Sequence, residues 1–310
     1  PRSTRVRSSA ASDVYKRQMH ILRKKKWLLL LVFIFPAFLL YTYFVIYSIV
    51  NTGYYSLTKW NAISDPIFVG MKYYQDFLHD ADFLMVLRNS LLNVVISLVI
   101  QIPLGLVGAY LIYRTKRFYR LYRFCVFIPV VLSASAIALL FTLIFNAEFG
   151  PVNTVLRSIG LDSWARSWLS DASVVYFVVM TPMTYQYIGL YVIIELSGMQ
   201  AIPDDVIEIA TIDGASSFRI FWNIVVPMQR AITGMCAILI ISGCFKAFEH
   251  SYIMTWGGPG YASSFLGVYM YTETFVKGNY GKGSAVSMVI LVGTLICTLI
   301  FQALNRRKED

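Results

Sequence analysis

Charged residues are scarce in this sequence. Only 14% of its 310 residues are Asp, Glu, Lys or Arg, whereas a soluble domain carries roughly 25%. Hydrophobic residues make up 57% of the chain, and the mean hydropathy is +0.60. This balance excludes a soluble globular protein, because so much apolar surface needs a bilayer as its solvent.

Cysteine and histidine are also few, with four and three residues. The cysteines lie inside apolar runs and the histidines lie far apart, so a disulfide framework or a metal site is not expected. The sequence lacks the Gly-x-x-x-x-Gly-Lys-Ser/Thr run that binds nucleotide phosphates, since no glycine stands at the required distance before Gly281 and Lys282. The net charge of +10 comes from short basic loops beside apolar runs, which does not favour nucleic-acid binding.

The sequence contains several long apolar runs. A hydrocarbon core about 30 Å thick needs about 20 apolar residues in a helix, and six stretches reach this length. They are approximately residues 27–50, 89–113, 124–145, 174–196, 231–250 and 284–304. The first is longer than a signal-peptide core and lacks a cleavage site of small residues. The predicted fold class is therefore an all-α integral membrane protein with six transmembrane helices.

The basic residues predict the orientation of these spans. They concentrate at residues 23–26, 114–123 and 306–308, before the first span, between the second and third, and after the sixth. The loops after the first and third spans have mixed charge. Because Lys and Arg mark the cytoplasmic loops of membrane proteins, both termini are predicted to lie in the cytoplasm, an N-in/C-in topology.

The first eighteen residues differ from the rest of the chain. They begin without Met, are rich in Arg and Ser, and end just before Met19. We expect residues 1–18 to be a leader foreign to the native protein. Residues 19–310 are expected to form one six-helix domain.

The segment 201–227, between the fourth and fifth spans, has the most informative pattern. Pro203 suits a first helical position, and Asp204 and Asp205 then fall in the first turn, where the helix dipole favours acids. Gly214 is expected to end this helix. Two apolar stripes at helical spacing flank the turn: Val206, Ile209 and Ala210 before it, and Phe218, Phe221, Trp222 and Val225 after it. This pattern predicts a cytoplasmic helix–turn–helix that binds a protein, because anionic lipids repel an acidic helix.

This segment resembles the EAA coupling loop in permease subunits of binding-protein-dependent ABC importers. The family pattern is Glu-Ala-Ala, three residues, Gly and, after nine residues, an Ile followed by a Pro. The matching residues are Glu208, Ala210, Asp213, Gly214, Ala215, Phe218, Phe221, Ile224 and Pro227. Ile209 departs from the pattern, since it stands where the first Ala is usual.

The resemblance extends over nearly all of residues 19–310. The segments 68–70, 89–90, 255–260 and 283–285 resemble, in the same order, those of the carbohydrate-uptake branch of maltodextrin-permease-like subunits. The resemblance implies the fold of a type I ABC importer transmembrane domain.

The resemblance also implies a mechanism and a set of partners. The coupling loop would dock in a groove of a separate ABC ATPase subunit, whose closure on ATP rocks two permease subunits between inward- and outward-facing states. Glu208 would meet basic or amide groups of the ATPase, Gly214 would set the bend, and Ala210 and Ala215 would allow close approach. An extracytoplasmic binding protein would deliver the solute. ATP and magnesium belong to the partner, so the chain is expected to be no enzyme and to hold no cofactor, metal or catalytic residue.

Polar groups inside two predicted spans mark a candidate path for the solute. The candidates are Tyr185, Gln186 and Tyr187 in the fourth span, and Ser242, Cys244, Lys246 and Glu249 in the fifth. Lys246 and Glu249 stand three residues apart and are expected to share a helix face. Sugar sites need planar hydrogen-bonding groups and aromatic faces, which this set could supply. The alternative is an internal ion pair beside tyrosines in helix contacts.

Other functions fit the sequence less well. A glycerol-phosphate or other polar-solute importer is the nearest alternative, but a phosphate would favour Arg, and no candidate on the path is Arg. A polytopic membrane enzyme would need a catalytic cluster, which Glu195, Glu249 and Glu273 do not form. A passive channel would need no acidic, Gly-broken loop at this position. The predicted function is a carbohydrate-importer permease, for oligosaccharide or monosaccharide, in the cytoplasmic membrane of a prokaryote.

Overall fold

The computed structural model describes residues 32–115 and 117–306. It divides the chain into two units, residues 1–54 and 55–310, which are described separately. Several sequence predictions fall outside the described residues. They are the leader at 1–18, the basic residues 23–26, the start of the first span at 27–31, Lys116, and the basic residues 307–308.

The described part of the first unit is an apolar helix, α1 (Val32–Tyr55), whose last residue opens the second unit. Its middle passes through a π-helical stretch, Thr42–Tyr47. The length of 24 residues is enough to cross a bilayer, so the predicted first span is confirmed from residue 32 onwards.

The second unit consists of helices and one small antiparallel hairpin, in which Thr58 pairs with Phe68 and Lys59 with Ile67. Its elements in chain order are β1 (Thr58–Lys59), β2 (Ile67–Phe68), α2 (Lys72–Phe77), α3 (Ala81–Arg114), α4 (Tyr119–Val131), α5 (Ala134–Ile144), α6 (Pro151–Ser158), α7 (Val175–Met199), α8 (Asp204–Ile212), α9 (Ser217–Ile220), α10 (Arg230–Phe245), α11 (Glu249–Thr255), α12 (Leu266–Tyr271) and α13 (Tyr280–Arg306). π-helical turns at Phe221–Val225 and Thr272–Val276 continue α9 and α12.

Four spans of the second unit agree with the predicted ones: α3, α7, the pair α10 and α11, and α13. The longest is α3 with 34 residues, and it begins eight positions before the predicted start at residue 89. Its early start has a local cause. The Asp80 carboxylate accepts hydrogen bonds from the backbone N–H groups of Asp82 and Phe83, at 3.0 and 3.2 Å, and so caps the helix.

The third predicted span, residues 124–145, coincides with the pair α4 and α5, which counts as a sixth candidate span if both helices form one crossing. The two helices meet at an angle of 92°. Leu132 is extended at the break, and the Ser133 hydroxyl accepts a hydrogen bond from the Ala136 N–H to start α5. The Gln186 amide donates to the freed Leu132 carbonyl at 3.0 Å. A polar side chain from α7 thus allows the backbone to break inside the bundle.

α3 buries a row of polar side chains and exposes apolar ones on its other side. It packs most extensively against α7. Val95 and Val99 are more than half exposed. Four polar residues at intervals of four, which we call the polar stripe, are buried: Asn89, Asn93, Ser97 and Gln101. This arrangement inverts that of a soluble helix and suits a bundle whose surroundings are lipid.

Candidate functional site

The predicted turn in segment 201–227 forms at Gly214, which has a φ of +79°. The Ala215 N–H donates to the Ala210 carbonyl at 3.0 Å, and the Gly214 N–H donates to Thr211 at 3.1 Å. These bonds satisfy the last carbonyls of α8 in the manner of a Schellman motif. Glycine suits this position because a φ near +80° strains residues that carry a Cβ.

The inner face of the segment is fixed to the ends of α3 and α7. Phe221 and Val225 are buried in an apolar cluster with Leu196 of α7. The Tyr110 ring lies 4.8 Å from the Phe221 ring, and its hydroxyl donates to the Ser217 carbonyl at 3.0 Å. The segment is therefore anchored to the bundle at the carboxyl ends of these two helices.

The outer face of the segment, which we call the coupling face, combines acids with exposed apolar side chains. It consists of Glu208, Ile209, Ile212, Asp213 and Phe218. Ile212 is 78% exposed and Phe218 is 74% exposed. Since α8 and α9 are not among the candidate membrane spans, such large exposed apolar side chains give this face the character of a protein-binding surface.

Each of the two apolar stripes is divided between the inner and the outer face of the segment. Ile209 is exposed, whereas the half-buried Ile207 and Ala210 contact the bundle. In the second stripe Phe221 and Val225 pack inward, whereas Phe218 and Trp222 are exposed. The bundle contacts a narrow side of each short helix, so apolar spacing alone did not identify that side.

The remaining residues of the family pattern are less exposed. Ala210 and Ala215 are half-buried against the chain's own helices, and their contact with a partner stays a prediction. Ile224 and Pro227 are half-buried in the turns that lead to α10.

A cavity of about 360 Å³ lies among α3, α7, α10 and α11. Four of the predicted path residues line it: Tyr187, Cys244, Lys246 and Glu249. Tyr185, Gln186 and Ser242 do not line it. Gln186 bonds the break after α4, and the Tyr185 ring packs 5.7 Å from the Phe141 ring.

The predicted pairing of Lys246 with Glu249 is wrong. α10 ends at Phe245, Phe248 is not helical, and α11 begins at Glu249, so helical spacing does not apply. Among the ion pairs of the described residues, none joins Lys246 to Glu249. Both side chains instead line the cavity, where a cation and a carboxylate are available to a ligand.

The sequence analysis missed four polar residues of the cavity: Ser97, Gln101, Tyr191 and His250. Ser97 and Gln101 belong to the polar stripe, whose four-residue interval is visible in the sequence. His250 is 3% exposed, and its Nε2 has no hydrogen-bond partner among the described residues. Nothing in the sequence links His250 to α3, because their proximity depends on the packing of three helices.

An ion-pair network lies at the end of α3 opposite the segment 201–227. The Lys282 ammonium is 3.3 Å from Asp80 Oδ2 and 3.5 Å from Glu273 Oε1, and the Lys277 ammonium is 2.8 Å from Glu273 Oε1. Burial alone would raise the pKa of Asp80, but hydrogen bonds from a backbone N–H, Lys282 and Tyr269 lower it below its ordinary value. This network ties the start of α3 to the start of α13.

Known proteins resemble this chain over most of its length. The sequence profile of the family described as "Binding-protein-dependent transport system inner membrane component" matches residues 101–310. The chain is 35% identical to the "Probable ABC transporter permease protein YurN" of Bacillus subtilis, over 86% of this chain and 92% of the relative. It is 26% identical to the "Multiple sugar-binding transport system permease protein MsmF" of Streptococcus mutans, over 89% of this chain and 95% of the relative.

A solved structure shares the fold. It is a chain of a bacterial ABC transporter involved in the import of the acidic polysaccharide alginate, with a TM-score of 0.81 and 19% identity. The match covers 94% of this chain and 99% of that one.

Proposed function

Since this chain belongs to the family of binding-protein-dependent transport system inner membrane components, we propose that it forms part of the pore of an ATP-driven carbohydrate importer. A separate ABC ATPase binds the coupling face, and a second permease subunit completes the pore. A binding protein delivers the solute at the opposite end of α3. The coupling face and both termini lie in the cytoplasm, and the complex resides in the cytoplasmic membrane of a prokaryote.

The coupling face is the observation that carries this proposal. Ile212 and Phe218 are exposed beside Glu208 and Asp213, on a segment that is itself fixed to α3 and α7. A short helix presenting apolar anchors suits a groove on another protein. Because the segment is tied to two spans, force applied to it by a partner is transmitted to the helices that line the cavity.

The cavity supports a carbohydrate as the solute. Its volume, about 360 Å³, is within the range of small-molecule sites. Gln101, Ser97 and Tyr187 offer amide and hydroxyl groups for sugar hydroxyls, and the Tyr187 ring offers an apolar face. The positive charge of Lys246 and the negative charge of Glu249 cancel in the lining, so the cavity does not favour a phosphate. The printed name of the streptococcal relative points to sugars as well.

Two measurements test the proposal. The first is purification of the chain from membranes in mild detergent, with its stoichiometric partners identified by mass spectrometry. An ATPase, a second permease and a solute-binding protein are expected. The second is uptake of radiolabelled sugars by proteoliposomes of that complex, which should require ATP on the coupling-face side. Recovery of the chain without an ATPase would refute the proposal.

A matched pair of glycines tests the coupling role directly. Gly214→Val should abolish ATP-driven uptake while the complex still assembles, because valine strains a φ of +79° and changes the bend. Gly160 has a φ of +78° and equally open surroundings, but lies in the loop between α6 and α7. Gly160→Val carries the same strain and should leave uptake coupled. If both variants lost uptake to the same extent, the loss would be due to reduced stability and not to a change in coupling.

A further inference from the structure

A second cavity, of about 330 Å³, lies at the end of α3 opposite the coupling face. Its walls are the β1–β2 hairpin, α2 and the chain around the start of α13. With 34 residues at 1.5 Å each, α3 separates the two ends by roughly 51 Å, more than the thickness of a hydrocarbon core. We call this cavity the lysine pocket, for Lys59, Lys72 and Lys282 in its lining.

The walls of the lysine pocket are held in place before any partner binds. The Gly281 N–H donates to the Trp60 carbonyl at 3.2 Å, which fixes the hairpin to α13. The Trp60 ring stacks on the Tyr55 ring at 4.3 Å. Lys282 is held by two carboxylates, those of Asp80 and Glu273. A preformed site loses less conformational entropy on binding.

The lining of the pocket has a net positive charge. Its lining contains three lysines and one carboxylate, Asp76. Lys282 is neutralised by the ion-pair network, but Lys59 and Lys72 form no ion pair with any residue that the structure describes. Both are exposed. The pocket therefore offers two ammonium groups to an anionic group that comes from outside the chain.

The surroundings of the pocket favour a protein over a lipid surface. Exposed apolar side chains flank it at Ile63, Ile67, Phe68 and Met71. Residues 56–82 carry two lysines and four aspartates, so the segment lacks the cluster of Lys and Arg residues that binds anionic lipid surfaces. Apolar side chains around a small positive pocket match a protein surface that presents a carboxylate.

We propose that the lysine pocket anchors an aspartate or glutamate side chain of the solute-binding protein, with the flanking apolar side chains packed around that contact. This inference rests on the proposed function, because it requires a binding protein at this end of the bundle. To the proposed function it adds the residues that make the contact, Lys59 and Lys72, and the chemical class of the group that they bind, a carboxylate.

A carbodiimide that joins amines directly to carboxylates tests the contact in the purified transporter with its co-purified binding protein. Lys72 and Lys59 should become linked to an acidic residue of the binding protein, identified by mass spectrometry. Lys72→Arg should keep the affinity but lose the link at this position, since a guanidinium does not form the amide. Lys72→Gln should lose both.

Affinity provides the second measurement. The double variant Lys59→Gln with Lys72→Gln should raise the Kd of the binding protein roughly tenfold and flatten its salt dependence. Arg157→Gln is the matched control, because Arg157 is exposed on α6, at the same end of the bundle, and outside the pocket. It should change the Kd less than twofold.

The outcomes separate this inference from the proposed function. An unchanged Kd in the double variant, with an ATPase and a binding protein still recovered and uptake intact, overturns the lysine pocket alone. Cross-linking to phosphatidylserine in place of protein also overturns it, by assigning the pocket to lipid. Absence of any binding protein from an active transporter overturns both.

Discussion

The two ends of α3 differ in whether their acidic residues are paired within the chain. At the start of α3, the acids Asp80 and Glu273 are neutralised by Lys277 and Lys282 within the chain. At the other end, Glu208 and Asp213 stand beside exposed isoleucine and phenylalanine, and none of the ion pairs among the described residues involves segment 201–227.

This difference shows which contacts each end makes by itself. The ion-pair network has its charges satisfied and the hairpin is fixed to α13, so the stability of these contacts is a property of this chain. The coupling face leaves large apolar side chains exposed, and in the proposed importer another protein completes its contacts. Changes within the ion-pair network should therefore alter folding, and changes at the coupling face should alter association.

The largest effect is expected at Gly281. A Cβ at this position would overlap the Thr58 carbonyl oxygen, so Gly281→Ala should lower the free energy of unfolding by about 3 kcal/mol. Thermal unfolding in detergent, followed by labelling of the buried Cys236 thiol, measures the loss. Gly243→Ala is the control, because no heavy atom lies within 4 Å of its Cβ position. A Gly281→Ala variant as stable as this control would contradict the described packing of the hairpin.

A pair of glutamates compares the two ends with the same substitution. Glu273 is 1% exposed and contacts both Lys277 and Lys282, so Glu273→Gln should cost about 2 kcal/mol of stability. The expected cost is below that of breaking a fully buried ion pair. The Lys277 side chain is partly exposed to water, and Lys282 still forms its ion pair with Asp80 in the variant. Glu208→Gln, at the exposed coupling face, should stay within about 0.5 kcal/mol of the native protein. Similar losses from the two variants would remove the contrast between the ends.

Association should respond to the coupling face and not to the residues beneath it. Phe218→Ala should weaken ATPase binding about tenfold, since apolar anchors dominate such interfaces, and leave thermal unfolding unchanged. Phe221→Ala, three residues on and buried, should instead destabilise the chain by about 3 kcal/mol. Surface-immobilised ATPase and detergent-solubilised permease give the affinities. Unchanged binding by the Phe218→Ala variant would place the ATPase elsewhere.

The smallest effect is a dependence on pH at the network end. The folded-state pKa of Asp80 is lowered, so the aspartate adds stability above its ordinary pKa of 3.8, and this stability is lost as the pH falls through the folded value. Asp80→Asn should remove that loss, which develops as the pH falls below about 3.8. Because Asp80 is partly exposed, the expected difference is under about 1 kcal/mol. Unfolding curves across this range for both proteins measure it, and parallel curves would show that Asp80 contributes nothing.

Much of the architecture could be predicted from the sequence. The apolar runs predicted the first span from residue 32 and four of the spans in the second unit, because an amount of apolar surface that only lipid can cover is a local property of the chain. The turn at Gly214 was predicted for a similar reason, since the left-handed φ and the helix-ending bonds involve only neighbouring residues.

Features that depend on a distant partner were predicted poorly. The break between α4 and α5 depends on the Gln186 amide, which is 54 residues away from the Leu132 carbonyl. The Lys246–Glu249 pair was inferred from helical spacing that ends at Phe245. The polar stripe on α3 was detectable from its interval of four, but its role beside His250 depends on how α3, α10 and α11 pack.

By itself, the sequence determined that this chain spans a membrane, where most of its helices lie, and which segment turns at a glycine. These follow from interactions among residues close in sequence and between side chains and lipid. The tertiary structure decided which side of each short helix contacts the bundle, which charges pair and which stay open, and which polar residues line the cavity. Those outcomes depend on residues far apart in the chain, whose contact energies exist only once the helices have packed.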